Sequence, residues 1–318
     1  MTSSAPVIRS AVRKWLEKFE AGDLVIVAVS GGADSLALAY ALSREAPKLA
    51  IQLHAVTIDH QLQSASSTQA EIVAAQMKSI GIETTIEKVT VNITDGLEAS
   101  ARKARYAALD AVSDELNAVA IFLGHTRDDQ AESVLLGLAR GSGTRSLSGM
   151  APHQGKYIRP LLSITRTQTE SVCDEFKLVA WEDPHNKDLQ FARVRVRTDA
   201  LPTLERTIGP GITEALARSA ELLRHDADAL DAWADREAIH LDLADLECEH
   251  LARLPRAIRT RVIRLAIYAA SAPAGSISAD HVSAVEALIT DWSGQGAVYL
   301  PGGVKVERFS GRLSLSRH

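Results

Sequence analysis

Apolar residues follow two periods along the chain. Leu24 to Val29 (LVIVAV) is a short β-branched run without a polar face, which predicts a strand buried on both sides of a parallel sheet. Ser30 to Ser35 (SGGADS) interrupts it as a loop, and from Ser35 the spacing turns helical through Leu36, Leu38 and Leu42. The same alternation repeats. Strands are predicted at Ile51 to Ile58, Thr84 to Val89 and Val119 to Gly124. Helices are predicted at Glu71 to Ile80, Leu97 to Leu116 and Asp128 to Arg140, the last ended by Gly141 and Gly143. Ahead of them Val7, Ile8, Val12, Trp15, Leu16 and Phe19 recur at helical spacing and predict an amphipathic helix. A βαβαβαβα series of this kind specifies an α/β fold: an open parallel sheet with helices on both faces.

The pattern changes after Pro160 to helical and loop segments. Ile212 to Ile239 predicts a long connecting helix, and Arg253 to Ala270 a second helix. Ala297 to Ser316 alternates around Pro301-Gly302-Gly303 and Ser310-Gly311, which predicts a small β-hairpin or meander. A boundary at Gly209-Pro210-Gly211 divides the chain into residues 1–209 and a smaller helical C-terminal domain, 210–318.

Composition narrows the classes. The 318 residues are 46% apolar and 24% charged, as in an ordinary globular protein. No apolar run reaches the roughly 20 residues of a membrane helix, and no membrane role is expected. Cys173 and Cys248 form neither a disulfide framework nor a CxxC pair, and the N-terminus has no signal-peptide core, so a cytoplasmic location is expected. The formal net charge is -5, so any nucleic-acid contact must be local. Residues after Gly211 carry 12 Lys/Arg against 15 Asp/Glu, which is no bulk polycation. Oligomeric state, a homodimer included, is left open.

In open parallel sheets ligands bind beyond the carboxyl ends of the strands. The informative residues are therefore SGGADS after the first strand, Asp59-His60 after the second, and Gly124-His125 with Asp128-Asp129 after the fourth. Two glycines after a buried strand let the backbone approach an anion, and the following helix offers free N–H groups. Asp34 would repel a phosphate unless a divalent cation lies between them. The competing reading is a glycine turn with Asp34 or Ser35 as helix cap. The loop is neither a Walker A sequence nor GxGxxG; the nearest Walker look-alike, Gly149 to Tyr157, has one residue too many. Asp129 and Glu132 share one helix face and can hold an ammonium or a metal ion, or merely complement the helix dipole, with Thr126 and Asp129 approximating a capping box.

SGGADS after a strand resembles the PP-loop of N-type ATP pyrophosphatases, whose fold is adenine nucleotide hydrolase-like. DHQL (Asp59 to Leu62), LEASARKARY (Leu97 to Tyr106), LGHTRDDQAESVLLGLARGSG (Leu123 to Gly143), RPLL (Arg159 to Leu162) and WEDPHNKDLQFARVRVR (Trp181 to Arg197) narrow the resemblance to the tRNA(Ile)-lysidine synthase family, collinear over residues 24 to 206. The resemblance implies a ligase of tRNA modification using ATP and Mg²⁺, L-lysine and the isoleucine tRNA with a CAU anticodon. It implies ATP binding by Ser30, Gly31, Gly32, Ala33, Asp34, Ser35, Asp59, His60, Arg102 and Gly124, and metal binding by Asp34 and Asp128. Asp129 and Glu132 would bind lysine, Asp34 and Arg193 would be catalytic, and His125 would sit with His60 at the pocket rim. Arg195 and Arg197, and Arg256 and Arg259 from the Arg253–Arg264 cluster, are candidate tRNA contacts beside the alternative of solvated surface. Gln63 stands where the family has Arg, and Val194 where it has Asn. Rival readings are another PP-loop enzyme, such as a tRNA thiolase or an amidotransferase-fed synthetase, and a non-enzymatic ATP sensor. The cytidine-thiolating branch needs a CxxC cluster, which the two cysteines cannot supply.

Overall fold

The structure is a computed structural model and describes residues 3–61, 66–90, 96–141, 143–181, 183 and 188–317. Gln63 lies outside the described residues. The described chain divides into two compact units, residues 1–139 with 149–220, and residues 140–148 with 221–318.

The first unit alternates as the sequence predicts. Its elements begin with α1 (Ala5–Leu16), β1 (Leu24–Ala28), α2 (Ala33–Glu45), β2 (Gln52–Asp59), α3 (Ser66–Ser79) and β3 (Glu83–Lys88). They continue with α4 (Leu97–Glu115), β4 (Ala120–Leu123) and α5 (Arg127–Ala139). The short helix α6 (Thr144–Leu147) belongs to the second unit, and β5 (His153–Gln154) and β6 (Tyr157–Ile158) return the chain to the first sheet. The sheet order is β3-β2-β1-β4-β6-β5, parallel except for the β5–β6 hairpin. The order reverses between β1 and β4, which pair from Val25↔Ala120 to Ala28↔Leu123. The crevice past their carboxyl ends is the switch point where ligands of such sheets bind.

The uniform apolarity of β1 has a direct cause. Val25 and Val27 enter the core formed with α1, α2 and α3, including Ile8, Leu36, Leu38, Val73 and Met77. Ile26 points the other way, into a second core with Leu109 and Val112 of α4. All three are fully buried, each stabilising the fold by roughly 2 kcal/mol. In α1 the buried positions are Ala5, Ile8, Val12 and Leu16, whereas Val7 is half exposed. Gly141 has a positive φ of 62°, as a helix terminator should, but Gly143 instead caps the start of α6.

Beyond β6 come α7 (Arg166–Glu175) and one continuous helical rod. That rod runs through α8 (Ala192–Arg195), a π-turn at Val196–Ala200 and α9 (Leu201–Thr207). The connecting helix α10 spans Ile212–Ala238.

In the second unit, β7 (Asp245–Glu247), β8 (Val298–Leu300), β9 (Val304–Phe309) and β10 (Arg312–Arg317) form an antiparallel sheet of order β7-β10-β9-β8. The meander is borne out, with β7 as an added edge strand. The predicted helix from Arg253 to Ala270 is two helices, α11 (Cys248–Arg253) and α12 (Arg256–Ala269), because Pro255 starts a new one. A helix without a sequence prediction, α13 (Ala279–Thr290), packs with them; Val282, Val285 and Leu288 meet Val304, Val306 and Leu313 in one core.

Candidate active site

The loop after β1 is built for close backbone approach. Gly31 has φ +88°, and a Cβ there would lie 2.8 Å from Val73 Cγ2. Its carbonyl accepts from Trp181 N–H at 2.9 Å, which ties the Trp181 segment to the loop. Gly32 caps α2 with no side-chain hydrogen bond, so neither Asp34 nor Ser35 is the helix cap. Ser35 Oγ instead donates to Gly32 O at 2.9 Å and accepts from Ser30 N–H at 3.2 Å, while Ser30 Oγ lies 3.3 Å from it. Ala33 and Asp34 follow in the first turn, where backbone N–H groups face the switch point. Gly124, after β4, allows the two loops to meet: a Cβ would come within 3.0 Å of the Asp34 and Ser35 backbone.

A charged cluster fills the space between these loops. Asp34 accepts from the Thr169 hydroxyl and lies 3.5 Å from Arg166 Nε. Burial pushes its carboxyl up to about 6, against the lowering effect of Thr169 and Arg166. Asp129 Oδ2 accepts from the Thr126 N–H at 2.8 Å, half of the expected capping box, and Oδ1 lies 3.3 Å from both Arg166 and Arg193. Glu132 is wholly buried in the second turn of α5. It accepts from Arg193 Nε and Arg197 Nε, each at 2.7 Å, with Arg166 at 3.6 Å. Asp128 Oδ2 accepts from the Arg166 backbone N–H at 2.9 Å and so caps α7. Four carboxylates thus face three guanidiniums, leaving the cluster one positive charge short when all are ionised.

The structure adds partners to the predicted site residues in three places. The Asp129–Glu132 pair is not an open acidic face but is bridged by arginines. Arg197, a candidate tRNA contact, is turned inward onto Glu132, which makes it part of the cluster. Asp128 orients Arg166. Arg166 and Thr169 themselves escaped the sequence reading. Their signal was present: Thr165 and Gln168 form a capping box, a pattern legible as T-x-x-Q, and it sets Arg166 in the first turn of α7.

The remaining predicted residues surround this cluster. Asp59 is buried, and its carboxylate accepts from Gln61 N–H at 2.9 Å and Ser67 Oγ at 2.6 Å. Burial would raise its pKa, but the bonds from Ser66, Ser67 and Gln61 outweigh that and hold it low, so Asp59 fixes the loop after β2. His60 and His125 each have a buried Nδ1 without a hydrogen-bond partner among the described residues. Burial, with Arg159, Arg105, Arg193 and Arg102 nearby, holds His125 well below its ordinary pKa and therefore neutral. Those arginines make this side of the crevice electropositive. Arg102 is exposed on α4 and lies over the Tyr106 ring. Val194 is buried, and Arg195 is exposed with bonds to the carbonyls of Leu189 and Gln190. Arg259 is closed onto the buried Glu286 at 2.8 Å, and Arg256 reaches the same carboxylate at 3.0 Å. Both pairs hold α12 to α13, so Arg259, a candidate RNA contact, has its charge met by a buried acid. Arg261 likewise bonds Asp231, and Arg253 bonds Glu249.

Asp34 fits a divalent cation. It is a partly buried carboxylate that meets one guanidinium shared with two other acids, and such ions take one or two carboxylates plus phosphate oxygens. Among the described residues no group of three or more His, Cys, Asp or Glu could hold a metal, so the nucleotide would have to complete the site.

A glycine corner at a switch point, with a cation-seeking carboxylate in the first turn of the next helix, defines a nucleotide-using α/β domain. Residues 5–204 match the PP-loop domain, which makes it an ATP-using one. Residues 246–314 match the TilS substrate binding domain. The chain is 50% identical to the tRNA(Ile)-lysidine synthase of Thermobifida fusca, over 98% of this chain and 97% of that protein. It is 51% identical to that of Streptomyces coelicolor, over 91% and 84%, and 47% identical to that of Leifsonia xyli, over 93% and 91%. The chain belongs to the tRNA(Ile)-lysidine synthase family. In fold it also resembles a U34-tRNA thiolase from Methanococcus maripaludis, at 21% identity and a TM-score of 0.59 over 70% of this chain and 79% of that one. Among the described residues no helix is long and apolar enough to cross a membrane.

Proposed function

We infer that the chain is an ATP-dependent ligase that joins lysine to the wobble cytidine of the isoleucine tRNA with a CAU anticodon, giving lysidine. One observation carries this reading beyond family membership. A single guanidinium, Arg166, reaches both Asp34 on the phosphate loop and the Asp129–Glu132 pair, so a place for phosphates adjoins a place for an amine.

The chemistry follows from the leaving group. A pyrimidine carbonyl oxygen leaves poorly. When the C2 oxygen of cytidine attacks the α-phosphorus of ATP, the bond to the bridging oxygen breaks and pyrophosphate departs. The ε-amine of lysine, having lost a proton, then attacks C2, and AMP leaves with the former carbonyl oxygen. The N–H groups of α2 and the hydroxyls of Ser30 and Ser35 hold phosphate oxygens in this scheme. Asp34, with Asp128 alongside, would hold Mg²⁺, which would supply charge neutralisation for the departing pyrophosphate. Arg102 meets ATP, as a guanidinium fork suits phosphate. Asp129 and Glu132 favour the ammonium form of lysine, so they orient the amine. Arg193, already on both acids, stands at the reacting centre. Residues 1–209 carry the chemistry and residues 210–318 hold the tRNA body. The cytidine must be unstacked to enter, which an RNA loop permits more readily than a duplex. A cytoplasmic location suits these substrates.

The test is nucleoside mass analysis of isoleucine tRNA after incubation with the chain, ATP, Mg²⁺ and lysine. Lysidine formed only with all three, alongside AMP and pyrophosphate, is the expected result. AMP and pyrophosphate without lysidine would point to a different acceptor, and no cleavage of ATP at all would remove the reading.

A further inference from the structure

Arg166 is the feature that the family reading leaves without a task. It is the first residue of α7, fixed there by the Thr165–Gln168 capping box and by Asp128 on its own N–H. Its side chain is about one-fifth exposed and lies against three acids at once: Asp34 at 3.5 Å, Asp129 at 3.3 Å and Glu132 at 3.6 Å. The contact to Asp129 is a hydrogen bond, and all three are long. Arg193 and Arg197, by contrast, each hold Glu132 at 2.7 Å. Arg166 is thus held by longer contacts than the 2.7 Å bonds of Arg193 and Arg197 to Glu132, and it reaches the phosphate loop as well as the α5 acids.

We propose that Arg166 is a positioning residue that couples the two subsites: it covers the α5 acids until a nucleotide occupies the loop, and its withdrawal then opens them to the lysine ammonium. This rests on the reading of Asp129 and Glu132 as the amine subsite. The physical basis is competition between cations for a fixed set of carboxylates. A triphosphate on the loop stays net anionic even with one divalent cation, and it stands on the Asp34 side of the guanidinium. It draws Arg166 toward itself, and Asp129 and Glu132 lose one of their three positive neighbours. The same acids then hold an ammonium more tightly. The coupling is reciprocal, so lysine in place also strengthens nucleotide binding. An enzyme that must adenylate before the amine attacks gains order from this arrangement.

The experiment is calorimetric titration of lysine into the full chain, with and without α,β-methylene-ATP and Mg²⁺, whose α–β bridge cannot be cleaved. In the unaltered chain the nucleotide should tighten lysine binding about tenfold, within the usual range of coupling between sites. In Arg166→Gln the two lysine affinities should agree within about twofold, with the nucleotide-free affinity raised toward the coupled value. Arg166→Lys keeps the charge on a shorter reach and should restore part of the coupling, which a purely structural role would not predict. Thermal unfolding of each variant reports whether it folds, and if Arg166→Gln does not, the comparison rests on Arg166→Lys against the unaltered chain. Undiminished tenfold coupling in the variant that folds overturns the proposal, as does lysine binding in the unaltered chain that ignores the nucleotide. No lysine binding under any condition overturns the amine-subsite reading itself.

Discussion

Asp34 is held in a state that favours binding over stability. Its folded pKa of about 6 lies above the ordinary carboxylate value, chiefly through burial. A group shifted upward contributes most to stability below its unfolded pKa and loses that contribution as pH rises through the folded one. At pH 7.5 the ionised Asp34 therefore opposes folding of the ligand-free chain. Asp34→Asn should raise stability there by on the order of 1–2 kcal/mol, less than the full shift because the Arg166 contact goes too. The gain should shrink as pH falls from about 6 toward 4, read by urea unfolding across that range. The same variant should lose pyrophosphate release, and full turnover would remove Asp34 from the nucleotide site. The two α5 acids call for different tests. Glu132 is wholly buried under arginines, so Glu132→Gln should destabilise by about 3–5 kcal/mol, the usual result of breaking a buried pair from one side. Asp129 is slightly exposed and bonded to the Thr126 backbone, so Asp129→Asn should fold and raise the lysine requirement more than the ATP requirement. Equal effects on both substrates would argue against an amine contact. At this scale the sequence was legible where chemistry sits in one contiguous stretch. SGGADS and Asp129–Glu132 could be read directly. The arginines that neutralise those acids come from segments 34 to 68 positions further along, and spacing alone could not bring Arg166 and Arg197 to Glu132.

Helices of the first unit are joined by one buried acid. Glu45 ends α2 with its side chain fully covered, and it accepts from Arg9 at 2.5 Å, from Arg13, and from Lys48 at 2.9 Å. Arg9 and Arg13 are one turn apart on α1, so the carboxylate clamps that helix to α2, whose first turn carries Asp34. Burial would raise its pKa, but the bonds from Lys48, Arg13 and Arg9 outweigh burial and pull it down to about 2. The stabilisation is therefore fully present above an unfolded value near 4.5 and is lost as pH falls through about 2. Glu45→Gln should cost about 2 kcal/mol at pH 7, as loss of hydrogen bonds to charged groups does. In urea titrations the difference from the unaltered chain should narrow between about pH 4.5 and 2; a constant difference would mean packing and not charge. Elements with a long, regular pattern were legible: the four parallel strands, α4 and α10 fall within one or two residues of their predicted ends. Two-residue strands such as β5 and β6 carry no period to read. The apolar spacing from Arg253 to Ala270 runs on across Pro255, although that residue separates α11 from α12, and the π-turn at Val196–Ala200 has no apolar signature. The start of α13 did carry one, with Ser278 as cap and Val282, Val285 and Leu288 at helical spacing.

For the whole molecule, a net charge of -5 means that a tRNA is not captured by bulk attraction, so each arginine offered to it has to be local and uncommitted. The sequence showed five arginines between Arg253 and Arg264 but not the acids that meet them, because Asp231 and Glu286 lie outside that segment. Arg195 and Arg259 now separate the two roles. Arg195 projects from the rod that also carries Arg193, is exposed, and donates to the backbone carbonyls of Leu189 and Gln190, with no acid partner among the described residues. Arg259 is nearly covered, with 11% of its side chain exposed, and is paired with Glu286. Replacement of each by alanine should act on different observables. Arg195→Ala should weaken tRNA binding at low salt and lower the slope of log affinity against log salt by about 0.7, the counterion release of one phosphate on a single strand. Its unfolding midpoint should stay within about 0.5 kcal/mol of the unaltered chain, as for a surface change. Arg259→Ala leaves Glu286 buried without its closest partner and should destabilise the second unit by about 3 kcal/mol, with the salt slope of the still-folded protein unchanged. A reduced slope for Arg259→Ala, with stability intact, would return that residue to the RNA surface; an unchanged slope for Arg195→Ala would take Arg195 off it and move the anticodon contact elsewhere on the first unit.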